Sequence, residues 1–309
     1  MLRPLIFTPT YQEILRKKVF ESDGSREKCF SKGKREKRCE MGEKDPFKVE
    51  QDGHIVWLTL NRPDNRNTMG FAFFEELTRH FQRFDEDSSV RVVVIKAEGK
   101  SFSAGLDLTE FGPLLSGGIG ADVREELRRT ILKCQGGMNA VERCRKPSIA
   151  AVHSHCIGGG VDLLSACDIR IAAKDAVFSI RETRMGLIAD LGTLQRLPRI
   201  IGHGWFGELA LTGRDFTAQE ALQMGFVTRI CQDQQGLYEE AKGIASRIAA
   251  CPPLAVQGAK DAILYSRDHG VYAGLHYVAQ KNAAALPSED VIEAVKAFME
   301  KRTPVFKGK

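Results

Sequence analysis

The strongest constraint on the fold is the alternation of short apolar runs with amphipathic segments. His54–Leu60 is a strong strand candidate, and Val90–Ile95 and Pro147–Val152 have the apolar composition of strands buried on both faces. Phe71–Phe84 is predicted as a helix with one apolar face, formed by Phe74, Leu77, Phe81 and Phe84. Arg124–Arg143 is predicted as a long helix. Strands that alternate with helices predict parallel βα units and an α/β fold rather than a sandwich or barrel of hairpins.

The chain is predicted to have three parts. Residues 1–46 are predicted to be a basic N-terminal extension without a fold, residues 47–250 an α/β core, and residues 251–309 a helical region. The last boundary is set where the pattern changes from mixed to helix only, after two consecutive prolines. The predicted C-terminal helices are Ala255–Ser266, Val271–Leu286 and Glu289–Lys301.

The net charge of +5 arises mostly from Arg26–Lys48. A basic run of this kind can bind nucleic acid or a membrane surface. The glutamates mixed into it and the lack of interleaved aromatic residues favour a solvated linker instead. RNA binding by this segment is therefore kept as the alternative function from a different class, and nucleic acid is not the expected partner.

Residues 1–20 are apolar and basic with one acidic residue, Glu13, which is typical of a mitochondrial presequence. Pro4 and Pro9 would break an amphipathic helix there, so the peroxisome and the cytoplasm stay open as alternative locations. No run reaches the roughly 20 apolar residues that span a bilayer. A protein without a membrane span is expected.

Eight cysteines are present, and none forms the close CxxC pair of a zinc site. They are predicted to be free thiols and small core residues. His153, His155 and Cys156 lie close together in sequence, but no second ligand cluster accompanies them. No metal is predicted.

Two glycine-containing segments are candidates for an anion-binding site. Ser101–Leu108 follows one predicted strand, and Cys156–Leu163 follows another and contains three successive glycines. Without Cβ atoms, the backbone N–H groups of such a turn can approach a ligand, and a helix N-terminus adds a positive dipole. Both nucleotide fingerprints, GxGxxG and GxxxxGK[ST], are absent, so a carbonyl that becomes an enolate oxygen is the better ligand. A tight helix–strand crossing that needs glycine for space alone is equally consistent with the triplet.

Three acidic residues lie in mostly apolar surroundings, namely Asp162, Glu182 and Asp190. Carboxylates buried together raise the pKa of at least one of them, so that the set can both accept and donate protons near neutral pH. The structural alternatives are a helix N-cap for Asp162, an ion pair with Arg181 or Arg184 for Glu182, and another cap for Asp190.

The chain resembles the crotonase (enoyl-CoA hydratase/isomerase) superfamily from about Phe47 to about Phe306. The segments that carry the resemblance are Ser103–Leu108, the glycine triplet and Asp168–Ala172. The resemblance implies a spiral of ββα units with C-terminal helices that form homotrimers or homohexamers, an acyl-CoA thioester substrate and no separate cofactor. It also implies an oxyanion hole made by the N–H groups of Leu106 and Gly159. The residues that would contact the substrate around it are Ala104, Gly105, Asp107, Gly158 and Gly160.

Hydratases of the superfamily carry glutamates at the positions of Asp162 and Glu182 and lack an acid at Asp190. The trio here is similar to the branch that converts 3,5-dienoyl-CoA to 2,4-dienoyl-CoA in the β-oxidation of unsaturated fatty acids, as are Leu187–Pro198 and Tyr265–His269. The resemblance implies that Glu182 removes a proton from C2, Asp190 delivers one to C6, and Asp162 tunes both. A 2-enoyl-CoA hydratase is the alternative.

Arg62 and Lys100 are candidates for contacts with the CoA phosphates, because each adjoins a loop near the expected site. Solvation at the surface is the commoner role for such residues.

Overall fold

The computed structural model describes residues 45–115, 118 and 120–309. The strands of this part are β1 (Phe47–Asp52), β2 (Ile55–Leu60), β3 (Val92–Ala97), β4 (Ser148–Val152), β5 (His155–Ile157), β6 (Ile169–Ala173), β7 (Val177–Ser179), β8 (Asp215–Thr217) and β9 (Ile230–Cys231). The helices are α1 (Phe71–Glu86), α2 (Leu108–Leu115), α3 (Ala121–Arg143), α4 (Gly159–Ala166), α5 (Thr193–Arg196), α6 (Pro198–Thr212), α7 (Ala218–Gln223), α8 (Gln234–Ala249), α9 (Pro253–His269), α10 (Val271–Ala285) and α11 (Glu289–Glu300). Single 3₁₀ turns occur at Pro63–Asn65 and Glu182–Met185.

Six strands form the main sheet in the order β1-β2-β3-β4-β6-β9. All neighbouring pairs are parallel except β1 with β2. The predicted strands and helices of the core are confirmed to within a few residues, and so is the α/β fold with parallel βα units. The hairpin of β1 and β2 was not predicted, because only Phe47 of β1 is buried and its remaining residues are exposed.

Strand β3 is buried on both faces, as its apolar run predicts. Val93 and Ile95 belong to the larger core, which α1 and α3 cover. Val92 and Val94 belong to a second core, which Leu237 and other residues of α8 cover. The period-2 alternation of a strand divides one apolar run between the two cores.

A second, three-stranded sheet has the order β5-β7-β8. Strand β5 leaves β4 after only two residues, at Ser154, which has a positive φ of 50°. Strand β5 then pairs with β7 in parallel register. This change of sheet carries the chain to the edge of the core just before the glycine triplet begins.

The C-terminal region contacts the core through polar groups of α9 and of the segment after α11. The buried ammonium of Lys260 in α9 lies 2.7 Å from Asp168 Oδ2, and the same oxygen accepts a hydrogen bond from the backbone N–H of Ser148 in β4. Arg91 donates hydrogen bonds to the carbonyl oxygens of Ala249 and Phe306. The last helices are confirmed at the predicted places.

The basic segment that the RNA-binding alternative requires lies almost entirely outside the described residues, as does the predicted presequence. In the part of the chain that is described, no helix combines the length and the apolar character that crossing a bilayer requires.

Candidate active site

The two glycine-containing loops lie side by side. Ser103 and Cys156 form a bridge, in which Ser103 N donates to His155 O and Ile157 N donates to Ser103 O, each at 3.0 Å. A second bridge holds the first loop to Met69, whose N–H donates to Gly105 O at 2.9 Å. The loops are therefore fixed to each other by backbone hydrogen bonds.

The predicted oxyanion donors are brought together by these bridges. A Cβ atom built on Gly159 would lie 3.8 Å from the backbone nitrogen of Leu106. Within residues 45–115, 118 and 120–309, neither the Leu106 N–H nor the Gly159 N–H has a hydrogen-bond acceptor. Gly159 is also the first residue of α4, where the helix dipole favours negative charge. Two adjacent backbone donors without protein acceptors are the arrangement that an oxyanion hole requires, and the role of Leu106 and Gly159 stays a prediction.

Different local constraints require glycine at different positions of these loops. Gly105 has a φ of 88°, and a Cβ there would lie 2.8 Å from Ile157 O. Gly158 has a φ of 53°, and a Cβ there would lie 3.0 Å from Glu182 Oε1. Gly160 is needed for packing, since its Cβ would lie 2.9 Å from Cys156 Sγ. Close packing and anion binding thus both apply to the triplet, and substrate contacts for these glycines stay a prediction.

The carboxylate of Glu182 lies against Gly158, beside the two donors. Its Oε2 is buried and has no hydrogen-bond partner in the described part of the chain. The predicted alternative, an ion pair with a neighbouring arginine, is wrong, because Arg181 pairs with Asp215 and Arg184 donates to Thr212 O. Burial, and after it the charge of Asp162, raises the pKa of Glu182 to about 7.

Asp162 is fully buried in α4. Its Oδ1 accepts a hydrogen bond of 2.7 Å from the backbone N–H of Thr193, the first residue of α5. The predicted cap on its own helix is wrong, because the N-cap residue of α4 is Gly158 and no side chain caps that end. Burial raises the pKa of Asp162 to about 6, with a further increase from Asp190, although the Thr193 hydrogen bonds oppose it.

Asp190 lies on the segment that precedes α5 and is half-buried. It is not a cap either, since Gly192 holds the N-cap position of α5. Its side chain forms no ion pair with any described residue, and burial raises its pKa. The charge of Asp190 contributes to the raised pKa values of both Asp162 and Glu182, and a joint catalytic role of the three acids stays a prediction.

Replacing Asp162 by Asn is expected to shift the pH dependence of the site to lower pH. The charge of Asp162 raises the pKa of Glu182, so that its loss lowers this pKa. Asn retains an oxygen for the Thr193 N–H and nearly the same volume. If Glu182 acts as a base, the rising limb of kcat/KM against pH moves below 7. An unmoved limb would contradict the coupling of the two acids.

The other residues predicted to contact the substrate are Asp107, Arg62, Lys100 and Ala104, and their roles stay predictions. The carboxylate of Asp107 accepts hydrogen bonds from Thr68 and Thr109 and pairs with Arg62 at 3.3 Å. This internal network occupies Arg62, which leaves the exposed Lys100 as the more accessible of the two predicted phosphate contacts. Ala104 is half-buried in the first loop, where its N–H donates to Arg66 O at 3.0 Å.

Among the described residues, neither His153 nor His155 belongs to a group of side chains close enough to share a metal ion. His153 is buried, and its ring contacts Gly99 O at 3.0 Å, whereas His155 is exposed. One other group, consisting of Asp45, Glu76 and His80, has donor atoms close enough to share an ion. Exposed acidic residues commonly cluster in this way without a metal.

Sequence reasoning missed the residues that hold the acids in place. Thr193 fixes Asp162, and the side-chain amide of Gln135 donates to Asp190 O at 2.7 Å. Gln135 lies in α3, 55 residues before its partner, and only the helical spacing of polar residues on that face could have indicated it.

An α/β core with two adjacent backbone donors beside buried carboxylates is typical of enzymes that act on activated carbonyl compounds. The family model described as enoyl-CoA hydratase/isomerase matches residues 50–309, and the chain belongs to this family. The Delta(3,5)-Delta(2,4)-dienoyl-CoA isomerase, mitochondrial, of Mus musculus is 46% identical over 81% of this chain and 77% of its own length. The peroxisomal isomerase of the same name from Arabidopsis thaliana is 42% identical, over 82% of this chain and 93% of its own length.

The fold is confirmed by a solved structure of an enoyl-CoA hydratase from Bacillus anthracis. It superimposes with a TM-score of 0.79 at 36% identity and covers 85% of this chain and 100% of the hydratase. The crotonase-type fold expected from the sequence resemblance is therefore correct.

Proposed function

We propose that the chain isomerises 3,5-dienoyl-CoA to 2,4-dienoyl-CoA in the β-oxidation of unsaturated fatty acids. The observation that carries this proposal is the third acid, Asp190, in one electrostatic cluster with Glu182 and Asp162. Hydration of a 2-enoyl-CoA needs a base and an acid at adjacent carbons, whereas a diene shift needs a second proton site farther along the chain. Asp190 supplies that second site.

The proposed reaction begins with the thioester oxygen between the Leu106 and Gly159 N–H groups. Glu182 removes a proton from C2, and the electron pair of that C–H bond forms the C2–C3 double bond. The pair of the former C3–C4 double bond forms the C4–C5 double bond, and the pair of the former C5–C6 double bond binds the proton at C6. Charge spreads from the thioester oxygen to C6, where Asp190 delivers a proton. The cycle closes when Glu182 loses its proton and Asp190 regains one. No cofactor enters these steps.

The pKa values suit these roles. A pKa of about 7 leaves Glu182 partly ionised at neutral pH and basic enough to accept a proton from an acidified C–H bond. Asp190 must be protonated to act as an acid. Its pKa is already raised by burial, and an acyl chain in the site would exclude more water and favour the protonated form further.

The assay that tests the function compares a 3,5-dienoyl-CoA with crotonyl-CoA, with each reaction followed by absorbance. The 2,4-dienoyl product is expected to form much faster than crotonyl-CoA is hydrated, because the proposed third acid, Asp190, would protonate C6. Efficient hydration with slow isomerisation would instead favour the 2-enoyl-CoA hydratase. That alternative draws support from Asp162 and Glu182, which are positioned near each other.

We also propose a homotrimer or homohexamer. In the described part of the chain, helices α10 and α11 carry large apolar side chains that are exposed. Such side chains favour association with another copy. The most exposed of them are Val271, Tyr272, Ile292, Phe298 and Met299. A mitochondrial location is proposed from the basic character of residues 1–20, and the mouse relative is named mitochondrial.

A further inference from the structure

The segment that carries Asp190 has no regular structure until α5 begins at Thr193. Three hydrogen bonds with side chains hold it, in addition to those within the backbone. Gln135 Nε2 donates to Asp190 O at 2.7 Å, Arg196 Nη1 donates to Leu191 O at 3.3 Å, and the Thr193 N–H donates to Asp162 Oδ1. Two successive carbonyl groups, of the acid itself and of the next residue, are therefore fixed by side chains from outside the segment.

The first of these side chains belongs to a polar row on α3. Gln135, Asn139 and Glu142 are spaced four and three residues apart, which places them on one helical face. Asn139 and Glu142 both accept hydrogen bonds from Arg196, at 2.6 Å and 2.9 Å. The side chains of Arg196 and Glu142 are only 10% and 13% exposed, so that Arg196 is held in one orientation by a largely buried pair.

The row continues into the C-terminal region. Arg267 of α9 pairs with Glu142 and also with Asp268, and Arg199 donates to Arg267 O at 2.8 Å. Arg267 and Asp268 belong to the segment Tyr265–His269, which resembles the isomerase branch although it carries none of the proposed catalytic groups. The ion pair to Glu142 gives this segment a physical connection to the loop of Asp190.

We propose that Gln135 and Arg196 are positioning residues that fix the Asp190 carboxylate at the distance from Glu182 that proton delivery to C6 requires. Glu142 and Arg267 anchor Arg196 from the other side. This inference rests on the proposed function. The two residues act on backbone carbonyl groups, so that their main effect is on the place of the carboxylate and not on its charge.

The surroundings of the Asp190 segment explain why positioning residues are needed. A cleft of about 360 Å³ adjoins Asp190 and is lined by Gln135, Arg196 and Gln195 among others. A segment beside open space can move into it when its hydrogen bonds are removed. A displacement of about 1 Å of a catalytic group can lower a rate by a factor of roughly 100.

The test uses Gln135→Met, which removes the donor at similar volume, and Gln195→Met as the matched control. Gln195 lines the same cleft, but its side chain forms no hydrogen bond to the Asp190 segment. Two rates are measured on a 3,5-dienoyl-CoA in deuterated water: exchange of the C2 proton, which needs Glu182, and formation of the 2,4-dienoyl product, which also needs Asp190. Gln135→Glu, which keeps the volume and loses the donor when ionised, serves as a second variant if the first folds poorly.

The expected result is a fall of roughly 10-fold in product formation with C2 exchange within twofold of the wild type, and no change in Gln195→Met. A merely structural role would lower both rates together and would overturn the proposal, as would two unchanged rates. Asp190→Asn is measured beside these variants. If it retains full product formation, the proposed role of Asp190 fails in its own variant, and the positioning role is overturned with it.

Discussion

Replacing Asp190 by Asn is expected to lower the rate of the 3,5- to 2,4-dienoyl conversion by roughly 10²–10⁴-fold, the usual contribution of a positioned general acid. Asn has nearly the same shape but cannot deliver a proton to C6. Exchange of the C2 proton with solvent is expected to persist, because Glu182 and the two oxyanion donors are unchanged. Absorbance of the product and the deuterium content of the recovered substrate measure the two steps separately.

The control for charge is Asp52→Asn. Asp52 is an exposed residue of β1 that pairs with Lys242, and its replacement should leave both rates unchanged. Product formation that survives in Asp190→Asn would show that solvent or another group protonates C6. The assignment of the third acid would then be wrong, whatever the activity of the wild-type protein.

Replacing Glu182 by Gln is expected to abolish both product formation and C2 exchange, with a loss of at least roughly 10³-fold. The base that begins the reaction is removed, and neither Asp162 nor Asp190 lies against Gly158 as Glu182 does. This result separates the two acids, since Asp190→Asn stops only the second step. Persistent C2 exchange in Glu182→Gln would assign the base to another residue.

Glu182→Gln is also expected to be more stable than the wild type at high pH, and to match it at low pH. The pKa of Glu182 is raised from 4.5 to about 7 in the folded protein. An acid with a raised pKa favours the folded state most below pH 4.5, and this contribution is lost as the pH rises to about 7. The loss amounts to roughly 3 kcal/mol. Denaturant unfolding at a fixed protein concentration should therefore find Glu182→Gln similar to the wild type near pH 4.5 and more stable near pH 8.

Sequence reasoning recovered the parts of the fold that local patterns specify. The apolar run Val90–Ile95 predicted a strand buried on both faces, which is observed at Val92–Ala97. The glycine triplet predicted a turn with N–H donors free to bind a ligand. The hairpin strand Phe47–Asp52 escaped prediction, because it buries a single side chain. Strand β5 has only three residues, which is too short for an alternation to be recognised.

The sequence predicted the acidic residues of the candidate site but not the residues that form hydrogen bonds and ion pairs with them or with their neighbours. Glu182 has arginines on either side in sequence, and an ion pair with one of them was a reasonable alternative. It is excluded because Arg181 reaches Asp215, 34 residues away, and Arg184 donates to Thr212 O. Likewise, the contact of Asp162 with Thr193 joins two helices whose spatial relation no local pattern contains. Partners that are distant in sequence decide the protonation of these acids.

The two cores on either side of β3 are completed at different points along the chain, so that their apolar faces are covered at different times during synthesis. The strands of the main sheet lie in the order in which they leave the ribosome, so that each can add to the edge formed by the one before. In the described part of the chain, the helix that covers the second core is α8, through Leu237 and its neighbours. A nascent chain that has completed β6 therefore presents an uncovered apolar face of Val92, Val94 and Ile149 until α8 has been made. Apolar surface that is exposed in this way during folding is prone to aggregation.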